Sequence, residues 1–253
     1  QEDGTYVIPD ATLLNFLQWH NHAFAQESTA FNERLPEYKK DFRDRFTALV
    51  EAGSLPKHAL SRLDLVDDVE IMLDDGFKTS FQPEKAIAGL YEDIFKRIIV
   101  SGISLPLQHD VVNHELIHRI ARGTRRQDST RLHNIGGAGM YALFGNDEGG
   151  RILNEAITTE LAHLITFGCN PSIEENVYQP ERHFLHTIIN NARNKDLTLF
   201  DFFYEYFDDP SNPPEAYDSH EASRPKLAEL LSSAFPDTDI VKSIVNIKKT
   251  PST

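Results

Sequence analysis

Apolar side chains recur at helical spacing over most of this chain. The stripe Leu13, Leu14, Phe16, Leu17 and Phe24 predicts a core-facing helix from Asp10 or Thr12 to about Gln26. A second helix is predicted from about Asn32 to Ala52 and a third from Pro56 to about Asp75, with Gly53 and Gly76 as stops. Between Lys85 and Leu105 the period fits two readings. Ala86–Tyr91 and Arg97–Ser101 predict a β-hairpin around Glu92 and Asp93, although a helix across residues 83–100 fits almost as well. Helical spacing returns at Val111, Val112, Leu116, Ile117 and Ile120, with Asp110 as a cap and Gly123 as a stop. It returns again at Ile152, Leu153, Ala156, Ile157, Leu161, Leu164 and Ile165, ending at Gly168. Pro180 suits the first turn of a helix reaching about Asn194. Leu197 to Asp208, Ser219 to Phe235 and Asp239 to Ile247 complete the helical pattern, and the aromatic run from Phe200 to Phe207 is most simply core. The expected class is α+β and mainly helical: an N-terminal helical segment over residues 1–80, then a unit over 81–253 with a small sheet.

Composition narrows the partners. At 253 residues and 40% hydrophobic, the chain has enough apolar surface for a real core. A net charge of −14 leaves no basic face for phosphate and argues against nucleic acid as a partner. Arg119, Arg122, Arg125, Arg126 and Arg131 are a local exception. They either line a cleft that favours acidic or carboxylate-bearing substrates, or form a solvated surface that balances nearby acids. Cys169 is the single cysteine, so no intramolecular disulfide exists. No stretch approaches the 18 apolar residues of a membrane span. The first residue is Gln1 rather than Met, which leaves open an upstream signal peptide, anchor or propeptide; neither compartment nor oligomeric state follows from these residues.

The chemistry concentrates at His114-Glu115-Leu116-Ile117-His118, which has the HExxH form of a zinc-peptidase helix. Residues four apart share a helix face, so the imidazoles of His114 and His118 can converge on one metal ion. Glu115, beside the first ligand, reaches a water on that ion without coordinating it and is the expected general base. With 11 histidines in the chain, a chance match should occur only roughly 0.04 times. Hydrolytic zinc takes three protein ligands, so a third is expected downstream. Glu155, Glu160, His133, Asp147 and His163 are near enough to qualify, whereas the HExxHxxGxxH pattern that would supply a third histidine is absent.

HELIH followed by Asn154-Glu155-Ala156-Ile157-Thr158 resembles the gluzincin metallopeptidases, the thermolysin-like class. The resemblance covers roughly 55 residues and implies that Glu155 is the third ligand of a single zinc, within a zincin-like domain over residues 81–253. Two features differ from the thermolysin pattern. Thr159 stands where an acidic residue would orient a zinc-bound histidine, and 36 residues separate His118 from Glu155, more than that pattern has. Residues 123–149 read as an inserted loop or hairpin, so the chain lies outside the thermolysin family proper. The resemblance further implies a Tyr or His that stabilises the oxyanion, with Tyr178 first and His186 second among Tyr178, Arg182, His183 and His186. It also implies an edge strand before the HExxH helix that binds extended peptide by strand addition. The expected function is zinc-dependent hydrolysis of a peptide or protein substrate. The alternatives are a non-catalytic zinc-binding adaptor derived from a peptidase, and a helical interaction protein in which HExxH is a coincidence.

Overall fold

No glycine interrupts the chain between Asp10 and Glu51, and these residues form one continuous helix, α1 (Asp10–Glu51, 42 residues). The computed structural model describes residues 10–74, 89–92, 96–101, 108–122, 140–145, 148–168, 178–193, 196–208 and 224–247. The sequence pattern predicts two helices where α1 is observed. Nothing between Gln26 and Asn32 breaks a helix, and the Thr29 hydroxyl turns back to donate to the Ala25 carbonyl at 2.9 Å. Pro36 sits inside α1 on an exposed position, where the lost backbone bond faces water. Gly53, at φ +74°, ends the helical run in the left-handed conformation that favours glycine.

The third predicted helix is instead a 3-10 helix (Lys57–Val66) followed by strand β1 (Glu70–Asp74). The alternation that marks the strand is visible in hindsight: Val69, Ile71 and Leu73 are buried, whereas Glu70 between them is exposed. β2 (Gly89–Glu92) and β3 (Arg97–Ser101) form the expected hairpin, pairing antiparallel from Gly89 opposite Val100 to Glu92 opposite Arg97. β1 joins β3 in parallel, Glu70 opposite Arg97, giving a three-stranded sheet of order β1-β3-β2. The boundary expected near residue 80 therefore falls between two strands of one sheet.

The remaining elements are α2 (Gln108–Arg122), α3 (Tyr141–Phe144), α4 (Glu148–Phe167), α5 (Gln179–Asn191), α6 (Leu199–Phe207), α7 (Leu227–Ala234) and α8 (Ile240–Val245). One apolar cluster unites them: Phe42 and Phe46 from α1, Ile98 and Val100 from β3, Leu116 and Ile120 from α2, Ile157 and Leu161 from α4, and Phe202 from α6 are all fully buried. The chain is thus mainly helical with a small sheet, in keeping with the α+β expectation. α8 crosses the start of α4 so closely that a β-carbon on Gly149 would stand 2.0 Å from the Ile244 carbonyl oxygen. No described helix is long and apolar enough to cross a membrane. Several expectations lie outside the described residues: the 123–139 part of the insertion with Arg125, Arg126, Arg131 and His133, then Asp147, Cys169 and residues 219–223. The same holds for the side chains of the Leu13–Phe24 stripe.

Candidate metal centre

α2 and α4 pack against each other in opposite directions, which sets the N-terminal part of α4 beside the C-terminal half of α2. His114 and His118 share a face of α2, and Glu155 of α4 meets them across the contact. The His114 and His118 Nε2 atoms are 3.1 Å apart. Glu155 Oε2 lies 3.3 Å from the first and 3.4 Å from the second. Tetrahedral zinc with bonds of about 2.0–2.1 Å requires ligand atoms about 3.3–3.4 Å apart, so this triangle matches three corners of such a site. The three atoms lie close enough together for one cation to touch all of them once both ring nitrogens are deprotonated. They are the one group of three His, Cys or acidic side chains among the described residues that could hold a metal ion.

Of the other residues considered for a third ligand, Glu160 and His163 are engaged elsewhere. Glu160 is wholly buried and accepts from Arg182 Nε at 2.8 Å, with His186 Nε2 at 2.7 Å. His163 lies 3.3 Å from Asp110 at the far end of the helix pair. There the Thr166 hydroxyl donates to Asp110 Oδ1 at 3.1 Å, and Asn113 of α2 donates to the Thr166 hydroxyl at 2.9 Å. Thr159, which stands where the thermolysin pattern has an acid, donates to the Glu155 carbonyl of its own helix at 2.8 Å. The side chain next to the outer nitrogen of His118 is Asn154, whose amide nitrogen Nδ2 is 3.5 Å from Nδ1. With Oδ1 turned towards the ring, Asn154 would accept its N–H and fix the tautomer that leaves Nε2 free for a metal.

The surroundings hold the other site residues tightly. Glu115 is buried, and its Cγ and Oε1 lie 3.1 and 3.2 Å from where a β-carbon on Gly89 would stand; Val111 Cγ1 lies at 2.6 Å. Only glycine lets β2 pass this close to α2, and an isolated glycine in a strand pattern is the sequence signal for it. At the other end of α2, buried Arg62 donates to the carbonyls of Ala121 at 3.1 Å and Ile120 at 3.4 Å, satisfying groups that a helix end leaves open. Tyr178 stacks on His114, ring centroids 5.5 Å apart and planes 4° from parallel. Its backbone is left-handed at φ +63°, a conformation that costs a non-glycine residue about 1 kcal/mol or more and recurs at functional sites. Arg182 and His186, one and two turns further along α5, are the residues that grip Glu160. His186, second as an oxyanion candidate, is thus committed to a carboxylate, and Tyr178 alone of the pair borders the centre.

Protonation follows from these contacts. Burial alone would raise the Glu155 carboxyl, but the charge of His118 and hydrogen bonds from both histidines outweigh it and hold the group well below the usual carboxylate range. Burial, followed by the nearby carboxylates of Glu155 and Glu115, pushes the Tyr178 phenol up, so it keeps its proton as a donor. Sequence reasoning missed Asn154, Gly89 and Arg62, because their roles depend on which helix and strand meet. Comparison of the chain with protein-family models, with curated proteins and with solved structures found no match.

Proposed function

We propose that the chain is a zinc-dependent peptidase of divergent, gluzincin-like type. The observation behind this reading is the convergence of His114, His118 and Glu155 at tetrahedral-edge distances beside a buried Glu115 that is not part of the triangle. A structural metal has no use for a carboxylate next to its ligand, whereas a hydrolase needs one as a base. His114, His118 and Glu155 would hold the zinc, which would supply a Lewis acid for the scissile carbonyl and for a water of near-neutral pKa. Glu115 takes the proton of the attacking water and returns it to the leaving nitrogen. Tyr178 donates a hydrogen bond to the oxygen on which negative charge develops. Asn154 holds the His118 ring. β2 is an edge of the sheet among the described residues and borders Glu115, so an extended peptide pairing with it would lie beside the base.

Metal analysis combined with peptide hydrolysis tests the reading. About one zinc per chain is expected in the wild type and none in a folded Glu155→Ala variant. Glu115→Gln should keep its zinc while hydrolysis falls by about 10²–10⁴-fold. Failure to take up zinc on reconstitution, or a zinc-loaded protein that cleaves no peptide in a diverse set, would overturn it.

A further inference from the structure

Arg119 differs from what a solvated basic patch would show. It is 5% exposed, and its Nε has no hydrogen-bond partner. Among the described residues no carboxylate pairs with it; the ring centre of Tyr91 on β2 lies 5.8 Å from the guanidinium carbon. That separation is at the outer limit of a cation–π contact, too weak to offset burial of a charge. In a chain with 39 acidic residues, a buried guanidinium without an acidic partner is an unmet demand for an anion.

Its position says which anion. Arg119 follows Glu115 by four residues, so the two side chains share one face of α2, about 6 Å apart along the axis. β2 runs along that same face: Gly89 abuts Val111 and Glu115, and Tyr91 two residues later covers Arg119. An extended chain advances about 3.3 Å per residue, so 6 Å corresponds to two residues. A substrate lying along β2 with its scissile bond at Glu115 would carry any group for Arg119 within two residues of that bond.

Building on the peptidase reading, we propose that Arg119 is a specificity-determining residue that binds a carboxylate of the substrate, from an acidic side chain or the C-terminus, within two residues of the cleaved bond. A guanidinium presents paired donors that match a carboxylate in two parallel hydrogen bonds, and the dry surroundings strengthen them.

The test uses zinc-loaded full-length protein and matched peptides differing only in Glu against Gln at each of the two positions on either side of the cleaved bond, each with a free or an amidated C-terminus. kcat/KM is measured on the wild type, and binding is measured calorimetrically on Glu115→Gln. At one position, or for the free C-terminus, the carboxylate peptide should be preferred about tenfold or more in both measurements, and Arg119→Met should bring the ratio close to one. Arg119→Lys should restore only part of it, since an ammonium lacks the paired donors. The position identifies a side chain as the source; sensitivity to amidation identifies the C-terminus. Cleavage and binding without preference in the wild type would overturn the Arg119 assignment and leave the peptidase reading standing. Carboxylate-selective binding without cleavage of any peptide would do the reverse, and neither binding nor cleavage would remove both.

Discussion

At the scale of single residues, Glu160 is a buried group whose protonation bears on stability. It is buried with Arg182, itself wholly buried, and with His186. Burial works against its charge, but the hydrogen bonds from His186 and Arg182 prevail and lower its pKa from the usual 4.5. A carboxylate whose folded value is depressed contributes stability above its unfolded pKa and loses it as pH falls through the folded one. Glu160→Gln should therefore destabilise the protein by about 3–5 kcal/mol at pH 7, because it leaves a buried guanidinium unpaired. Denaturant titrations should show the gap between variant and wild type closing as pH falls below 4.5. A gap unchanged by pH would show that the pair does not act through charge. The residues that converge in the candidate triangle were legible in the sequence because they carry a spaced motif, HELIH, and a second segment, Asn154-Glu155, that a family resemblance singles out. Glu160 was not legible. On a helix it stands about 100° from Thr159, and only the placement of α5 shows that its side chain faces Arg182 rather than a metal.

Among the elements, legibility followed the strength of the period. α2 and α4 appear where the pattern predicts them, since each has a full apolar face and a glycine stop, and the hairpin appears although a helix fitted its residues almost as well. The break predicted in α1 does not occur, because the polar residues Glu27, Ser28 and Thr29 end a stripe without ending a helix. The 3-10 turn and β1 replace a predicted helix because three alternating apolar residues are too few to outweigh a helical reading from sequence alone. The start of α4 is crowded by the crossing of α8. A methyl group at Gly149 would meet backbone at Ile244, which cannot turn aside as a side chain can. Gly149→Ala should lower stability by about 1–3 kcal/mol. Thermal denaturation would show this, and a variant as stable as the wild type would mean that α8 is free to shift.

For the whole molecule, the N-terminal residues are part of the same core as the centre. Phe42 and Phe46 of α1 share the apolar cluster with Leu116 and Leu161, and β1 supplies one strand of the sheet. Removing residues 1–80 should therefore yield a chain without cooperative unfolding by circular dichroism; a folded 81–253 fragment would show that the second unit stands alone. The same connectedness governs the centre. Asp110, beside His163 and Thr166, ties α2 to α4 at one place, and the candidate triangle of His114, His118 and Glu155 lies further along the pair. Glu155 precedes His163 by eight residues, so the two attachments stand about 12 Å apart along α4. The helix is thus a lever. A tilt of about one degree at the Asp110 fulcrum moves Glu155 by about 0.2 Å, the whole tolerance of a metal–ligand bond. In the proposed zinc enzyme, the geometry of the centre would therefore depend in part on the Asp110 end of the helix pair, which lies away from the three side chains.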